Sequence, residues 1–533
     1  MTSIKMPTAL IQGKQLIGAD SSATNAQTFV ATHSGTGALL DPPFHEANAE
    51  EIDLAMTLAS ESANIFANTS FETRAKLLEA IADGLMDAGE ALLDRCHAET
   101  ALPMTRLIGE RARTVNQTRL FAEMIREGSW VEAKVDHGDA DRTPAAKPDV
   151  RSMLISIGPV VVFGASNFPL AISVAGTDTT TAFAAGCPVV CKAHPAHPGT
   201  CEMIGNIIRD AIKAVGLPPG IFSLLQGRSH EVGHALVEHP ATAAVAFTGS
   251  LAGGRALFDT ANRRRNPIPV YAEMGSINPV FVLPGAIEER SEQIAQAFIG
   301  SLTMGVGQFC TNPGLILIPT GDQGDQLTQS IAEHAAAAAP GTMLHSGIHD
   351  AFNEGVARIK QTDGVQMLSQ ASGPSDQACC SIAVTDVATL QREHSLLEEI
   401  FGPCSTIVRY DNASEMLEVA QALEGQLTAT LHGSDNELSE HQPLIEALQQ
   451  KVGRLIFNGF PTGIEVCHAM VHGGPYPATS DAHFTSIGPA AIKRFTRPLC
   501  FQDFPNDQLP PELQDSNPRG IMRMVDGVFT RDQ

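Results

Sequence analysis

The spacing of apolar and polar positions changes along the chain, and each change predicts a different kind of element. Ile52, Met56, Ala59, Ala63 and Phe66 recur every three or four residues, and Leu78, Ile81, Leu85 and Leu92 repeat the pattern, which predicts two amphipathic helices with polar faces outward. A third is expected from about Met104 to Glu127, where Leu107, Val115 and Leu120 alternate with Arg106, Arg111, Arg113, Arg119 and Arg126. Arginines in such a pattern ordinarily form a solvated face. From Ser152 the helical period gives way to short apolar runs at Ile155–Phe163, Pro188–Cys191, Ile221–Leu225, Ala243–Phe247 and Pro269–Ala272. Helix-length stretches such as Thr177–Ala185 and Cys201–Val215 separate them. Strands alternating with helices in this way imply an α/β fold, a parallel sheet with helices on both faces. A second sheet pattern follows at Asn278–Leu283 and Leu315–Ile318, and the alanine tract 335–339 reads as an exposed helical turn. Two stretches break the alternation: Asp20–Asn48 reads as extended segments and turns, and the polar stretch between Trp130 and Pro148 marks a boundary or a protruding arm.

Open parallel sheets bind ligands beyond the carboxyl ends of their strands, so the loops after these runs are the candidates for a cofactor site. They read Gly164-Ala-Ser-Asn167-Phe168-Pro, Lys192-Ala-His-Pro and Thr248-Gly249-Ser250-Leu-Ala-Gly-Gly254. The last resembles a glycine-rich turn opening a helix, whose free amides would face a phosphate, although it lacks a full G-x-G-x-x-G fingerprint. The fifth run ends at Glu273-Met-Gly275, a carboxylate entering a glycine turn.

The candidate nucleophile is Cys310, in Gly305-Val-Gly307-Gln-Phe-Cys310-Thr-Asn-Pro313. A buried core thiol is the default for any one of the ten cysteines. Cys310 departs from it because its neighbours are glycine, Gln308, Thr311 and Asn312, whereas Cys187 and Cys191 bracket an apolar run. Close backbone approach and polar surroundings are what a reactive thiolate needs. Cys187, Cys191, His194, His197 and Cys201 lie close in sequence, but a buried strand and two prolines keep them from converging, and no metal site is expected there. His468 and His472 have helical spacing without the intervening glutamate of a zinc-protease helix. A cysteine hydrolase is disfavoured because no histidine lies near Cys310 in sequence.

Composition narrows the partners. With 35 basic and 59 acidic residues the formal charge is −24, which opposes binding to nucleic acid or anionic membrane, so an anionic ligand requires a local cationic pocket. The 533 residues, 43% of them apolar, suffice for two or three domains. The first fourteen residues carry no apolar core of signal-peptide length, and no apolar run approaches the ~20 residues of a membrane span, so a cytoplasmic protein with reduced thiols is expected.

Taken together, Asn167-Phe-Pro-Leu, Lys192, Phe247-Thr-Gly-Ser with Gly254, Glu273-Met-Gly, Gly307-Gln-Phe-Cys310, Glu399-Ile-Phe401-Gly-Pro and Asn458-Gly resemble the aldehyde dehydrogenase superfamily, in order and across almost the whole chain. Within it, Phe163–Pro169, Lys192–Gly199 and Cys467–Thr479 look most like the 2-oxoglutarate semialdehyde (2,5-dioxopentanoate) dehydrogenases. They are also similar to the NADP-linked fatty aldehyde dehydrogenase of luminous bacteria. The resemblance implies a Rossmann-like cofactor domain (1–130 and 157–271), an α/β catalytic domain (272–475) and a β oligomerisation arm with a C-terminal tail (131–156 and 476–533). The family pairs arm strands across subunits, and the segments around Met153 and Ala491–Phe501 are read as edge strands suited to a homodimer. The tail from Asn506 has no assigned place.

The resemblance also implies roles. Cys310 attacks the aldehyde, the Asn167 amide and the Cys310 backbone N–H hold the oxyanion, and Glu273 is the general base for thioester hydrolysis. Gly249, Ser250 and Gly254 lie at the dinucleotide, Glu399 with Phe401 at the nicotinamide ribose and Lys192 at the adenosine ribose. By themselves Asn167 reads as a turn residue and Lys192 and Glu399 as surface charges. Only register with Phe401-Gly-Pro selects Glu399 over Glu398. Many NAD-using members carry a glutamate where this chain has Pro195, so Lys192 and Arg228 are expected to accept NADP, with NAD possible. Arg113 matches a position that lines the substrate tunnel, often apolar in the family, and Ala175 one often held by tryptophan, leaving room beside Phe168. Both point to 2-oxoglutarate semialdehyde, with Arg113 on its carboxylate. The alternative is a medium or long aliphatic aldehyde.

Overall fold

The computed structural model describes residues 11–370 and 373–532. Residues 1–10, where no signal-peptide core is expected, lie outside them. Of the three N-terminal helices, Ala49–Ala67 packs on the first sheet, while Phe71–Asp87 and Gly89–Thr100 pack on other helices, among them the long helix Met104–Glu127 that follows. The second predicted helix is in fact two: Leu92 belongs to the helix that begins at Gly89, where a φ of +60° breaks the period.

The first sheet has the order Val270–Glu273, Ala244–Thr248, Val160–Phe163, Val189–Lys192, Phe222–Leu225, Gln15–Ile17, Asp20–Ser22. Its first five strands are parallel, and the last two form an antiparallel hairpin at one edge. Val160–Phe163 and Phe222–Leu225 are buried throughout, because helices cover both faces. The strand Val160–Phe163 has the next strand in sequence on one side and Ala244–Thr248 on the other. Strand order reverses there, which opens a crevice beyond the carboxyl ends.

The second sheet runs Gln366–Gln370, Ser381–Asp386, Cys404–Tyr410, Leu315–Pro319, Val280–Val282, Gln426–His432, Val452–Phe457, and only its first strand is antiparallel. The alanine tract closes the helix Asp322–Ala337, and Ala335 is buried in the core beneath it rather than exposed.

The apolar run Ile155–Phe163 is divided between two sheets. Val150–Ser156 joins a five-stranded sheet ordered Thr496–Gln502, Val150–Ser156, Lys134–Asp136, Arg523–Val525, Val528–Thr530. Gly158 and Pro159 separate it from the buried strand that follows. This corrects the expectation around Met153: its strand is flanked on both sides, and Thr496–Gln502 is the edge. Ala491–Phe495 forms part of a short 3-10 helix instead. The tail after Asn506 adds the last two strands, with Arg523–Val525 parallel to Lys134–Asp136.

The helix Met104–Glu127 corrects another expectation. Arg119 and Arg126 do face outward, pairing with Asp83, Glu72 and Glu79. Arg106 and Arg113, seven residues apart and so on one face, turn inward onto the Phe168 ring at 4.9 and 5.3 Å. Glu110, between them on that face, is buried and accepts from the Leu170 and Ala171 amides at 2.8 and 3.0 Å. It fixes the loop that carries Asn167 and Phe168. Among the described residues no helix is long and apolar enough to cross a membrane.

Candidate active site

The Cys310 loop is held by its backbone. Gly305, Val306 and Gly307 all take positive φ, and a Cβ on Gly307 would lie 2.3 Å from the Gly402 carbonyl carbon. Only glycine lets the loop press against the Gly402–Pro403 turn. Asn312 Nδ2 donates to the Gly402 carbonyl at 2.9 Å, joining the same two loops. Asn278, itself at φ +48°, donates through Nδ2 to the carbonyls of Cys310 and Asn312, both at 2.9 Å. Its Oδ1 accepts from Ser276 and Thr428, so the nucleophile's backbone is tied to the second sheet.

Glu273 ends the edge strand of the first sheet. Residues 478–480 cover that edge: the Met274 amide donates to the Ala478 carbonyl at 2.8 Å and the Ala272 amide to Ser480 Oγ at 2.8 Å. The same returning segment delivers His472. The His472 amide donates to Thr485 Oγ1 and its carbonyl accepts from the Ser486 amide. Its imidazole Nε2 sits 2.8 Å from Glu273 Oε1 and 3.5 Å from Cys310 Sγ. Glu273 Oε2 accepts from Ser486 Oγ at 2.7 Å. Glu273 and His472 are buried, whereas Cys310 is half-buried.

Charge follows geometry. Burial opposes ionisation of Glu273, but the His472 imidazole, the Ser486 hydroxyl and the Cys310 thiol together hold its carboxyl below the usual range. Burial pushes the Cys310 thiol well above its ordinary value, and the negative charge of Glu273 adds to the shift, with Arg113 opposing it. Without a ligand the nucleophile is therefore a thiol facing an ionised carboxylate through an imidazole. His472 was not legible as a partner: it lies 162 residues from Cys310, in a stretch that forms no helix.

The remaining candidates fall around this centre. Asn167 is buried and donates to the Gln308 carbonyl at 3.0 Å. Phe168 meets Phe309 edge-on at 5.3 Å, and Arg106 stacks on both rings while donating to the Asn167 carbonyl at 2.6 Å. Ala175 is buried in the large apolar core around the first sheet, while Phe168 packs with Ala165, Ala171, Ile172 and Phe309. Glu399 faces Gly275 and lines one cavity with Ser276, Phe401 and Glu398; Glu398 is the more exposed of the two and pairs with Arg358 at 3.0 Å. Burial pushes the Glu399 carboxyl up to about 8. Lys192 Nζ donates at 2.6 Å to the carbonyl of Gly227, the residue before Arg228, and burial lowers Lys192 to about 8. Ser250 caps the helix Leu251–Arg263, and Gly249 and Ser250 are exposed at its N-terminus, beside the end of the Glu273 strand.

The aldehyde dehydrogenase family model matches residues 42–475. The chain belongs to that family. It is 48% identical over 520 residues, 97% of this chain and 99% of the relative, to alpha-ketoglutaric semialdehyde dehydrogenase 2 of Azospirillum brasilense. It is 41% identical to alpha-ketoglutaric semialdehyde dehydrogenase of Acinetobacter baylyi, over 98% and 99% of the two chains. Its fold is shared with NADP-dependent glyceraldehyde-3-phosphate dehydrogenase from Bacillus halodurans complexed with NADP, at a TM-score of 0.77 and 20% identity, covering 92% of this chain and 98% of that one. As an aldehyde dehydrogenase the protein is an oxidoreductase acting on aldehydes with NAD or NADP.

The raised thiol has a measurable consequence. At pH 7.5 Cys310 is expected to react with iodoacetamide more slowly than exposed Cys500, and its rate is expected to keep climbing past the ~8.5 of a free thiol. Glu273→Gln removes a negative charge that raises the thiol, so its alkylation at pH 7.5 should accelerate severalfold. Peptide mass spectrometry across pH reads both cysteines at once; a Cys310 faster than Cys500, or slowed by Glu273→Gln, contradicts the assignment.

Proposed function

We propose that this aldehyde dehydrogenase oxidises 2-oxoglutarate semialdehyde to 2-oxoglutarate, with NADP preferred over NAD. The observation that carries the substrate is Arg113. Its guanidinium reaches over Phe168, its Nε is buried without a hydrogen-bond partner, and its charge acts on Cys310. A buried donor left unpaired costs about 1–3 kcal/mol, and a carboxylate at the far end of the substrate would satisfy it. The names of the two relatives support the same reading.

In this reading the Cys310 sulfur adds to the aldehyde carbon, its proton leaving to the Glu273 carboxylate that the thiol contacts, with the His472 Nε2–H steadying the other carboxylate contact. Asn167 and the Cys310 backbone N–H hold the oxyanion. The dinucleotide, when bound, accepts the hydride. Glu273, once it has passed that proton to solvent, deprotonates the water that attacks the thioester carbon and returns the proton to the leaving sulfur, which releases the acid and restores the thiol. The residues suit such a cofactor: Glu399 is an acceptor enclosed without a cation, fitted to ribose hydroxyls, with Phe401 in the same cavity. Gly249, Ser250 and Gly254 open a helix whose N-terminus favours phosphate. Lys192 and Arg228 would supply the cations for a 2′-phosphate, and Pro195 brings no carboxylate to repel it.

The substrate is tested by replacing Arg113 with methionine, which keeps an unbranched apolar stem and removes the guanidinium and its charge. The Michaelis constant for 2-oxoglutarate semialdehyde should rise roughly 10- to 100-fold, the scale of a lost charge-assisted hydrogen bond, with little change for a neutral aldehyde of equal length. Equal effects would favour an aliphatic aldehyde instead.

Coenzyme choice has a pH signature. Lys192 is depressed to about 8 by burial, so in the free protein it is charged below that pH and neutral above it. The dissociation constant for NADP should therefore weaken between pH 7 and pH 9 more than that for NAD. Parallel slopes in calorimetric titrations, or tighter NAD binding at pH 7, would remove the preference.

The proposal includes a cytoplasmic homodimer in which Thr496–Gln502, an edge strand with open backbone groups, pairs with a second copy. Sedimentation equilibrium should give twice the chain mass, and Leu499→Pro, which introduces a further ring into that strand, should shift it toward monomer. A monomeric wild type would exclude the arrangement.

A further inference from the structure

We propose that Cys310, His472 and Glu273 form a binding site for a thiophilic divalent cation, zinc being the best fit, and that its occupancy reversibly caps the nucleophile. The ligand atoms of these three residues all lie within 4.8 Å of one another. They come from three separate places in the chain, which is why no sequence spacing announces them. Among the described residues this is the one group of histidine, cysteine and carboxylate that converges so closely.

The donor set is sulfur, imidazole nitrogen and carboxylate oxygen, the mixture that zinc takes and that magnesium and calcium avoid. The two separations from the imidazole nitrogen are close to those of a tetrahedral centre. Zinc–sulfur and zinc–nitrogen bonds of about 2.3 and 2.0 Å place the two ligands about 3.5 Å apart, and Cys310 Sγ lies 3.5 Å from His472 Nε2. The same geometry sets nitrogen and oxygen about 3.4 Å apart, whereas Glu273 Oε1 and His472 Nε2 are at 2.8 Å. The carboxylate has to withdraw by about half an ångström, a small rotation of an unbranched side chain.

The surroundings suit a bound cation. Ser486 Oγ donates to Glu273 Oε2 at 2.7 Å, leaving Oε1 for the metal and orienting the group as outer partners of metal sites do. Cys310 is half-buried and reachable, and three protein ligands leave a fourth position for water. Binding displaces the thiol proton to solvent, forms the metal–sulfur bond and moves the imidazole proton from Nε2 to Nδ1 so that Nε2 can donate its lone pair. No electron transfer is involved. With sulfur engaged, the nucleophile cannot add to a carbonyl carbon.

The experiment uses the full chain, reduced, stripped with EDTA and free of dinucleotide and aldehyde, so its outcome does not depend on the substrate assigned above. Zinc chloride in calorimetry should show one strong site per chain, which Cys310→Ala and His472→Gln each weaken by about 100-fold or more, beyond the 10- to 100-fold typical of losing an outer partner. Cobalt chloride on the wild-type chain should give near-ultraviolet sulfur-to-cobalt charge-transfer absorption and the visible bands of tetrahedral cobalt. Zinc should also protect Cys310 from iodoacetamide until EDTA is added, and magnesium should not. The wild-type cobalt spectrum holds the test together even if a variant fails to fold. Absence of the charge-transfer band, or a strong zinc site that survives either substitution unchanged, would overturn the proposal.

Discussion

The contact between Glu273 and His472 is the constraint around which the site is built. A carboxylate at the end of a buried strand is costly unless something compensates it, and here the imidazole does so at 2.8 Å, with a serine hydroxyl on the other oxygen. To bring that imidazole in, the chain sends residues 472–486 back across the edge of the first sheet, His472 lying 199 residues beyond Glu273. The covering segment closes an edge that would otherwise be open, so one stretch both completes the sheet and equips the centre.

The thiol sits where the two large sheets approach. Its loop is clamped to the second sheet through Asn278 and to the Glu399 loop through Gly307 and Asn312, while Asn167 reaches it from the first sheet. Buried hydrogen bonds to backbone carbonyls make this arrangement stiff, because breaking any of them strands an unpaired polar group. The helix Met104–Glu127 supplies the third wall. One face of it holds the Asn167 loop through Glu110 and presents two guanidinium groups to Phe168.

Much of this was legible beforehand. The five apolar runs are the five parallel strands to within a few residues, since strands buried on both faces read as continuous apolar sequence. The glycine-flanked thiol and the strand-ending glutamate stood out for chemical reasons of their own. Where the reading failed, side-chain direction or partner choice was at stake. Five arginines on one helix look alike by periodicity; the family register singled out Arg113, but only packing shows Arg106 turned onto the same aromatic ring while Arg119 and Arg126 pair at the surface.

What the sequence by itself determined is local: which segments are strands or helices, which loops are too glycine-rich to be core, and which residues have the chemistry of a nucleophile or a base. Those follow from periodicity and residue type, which act over a few residues. What only the tertiary structure decided is the meeting of Cys310, Glu273 and His472, together with the ionisation that results from it. Proximity across 162 residues is set by sheet order and by the returning segment, and a pKa depends on burial and neighbouring charge, neither of which has a signature in the chain before it folds.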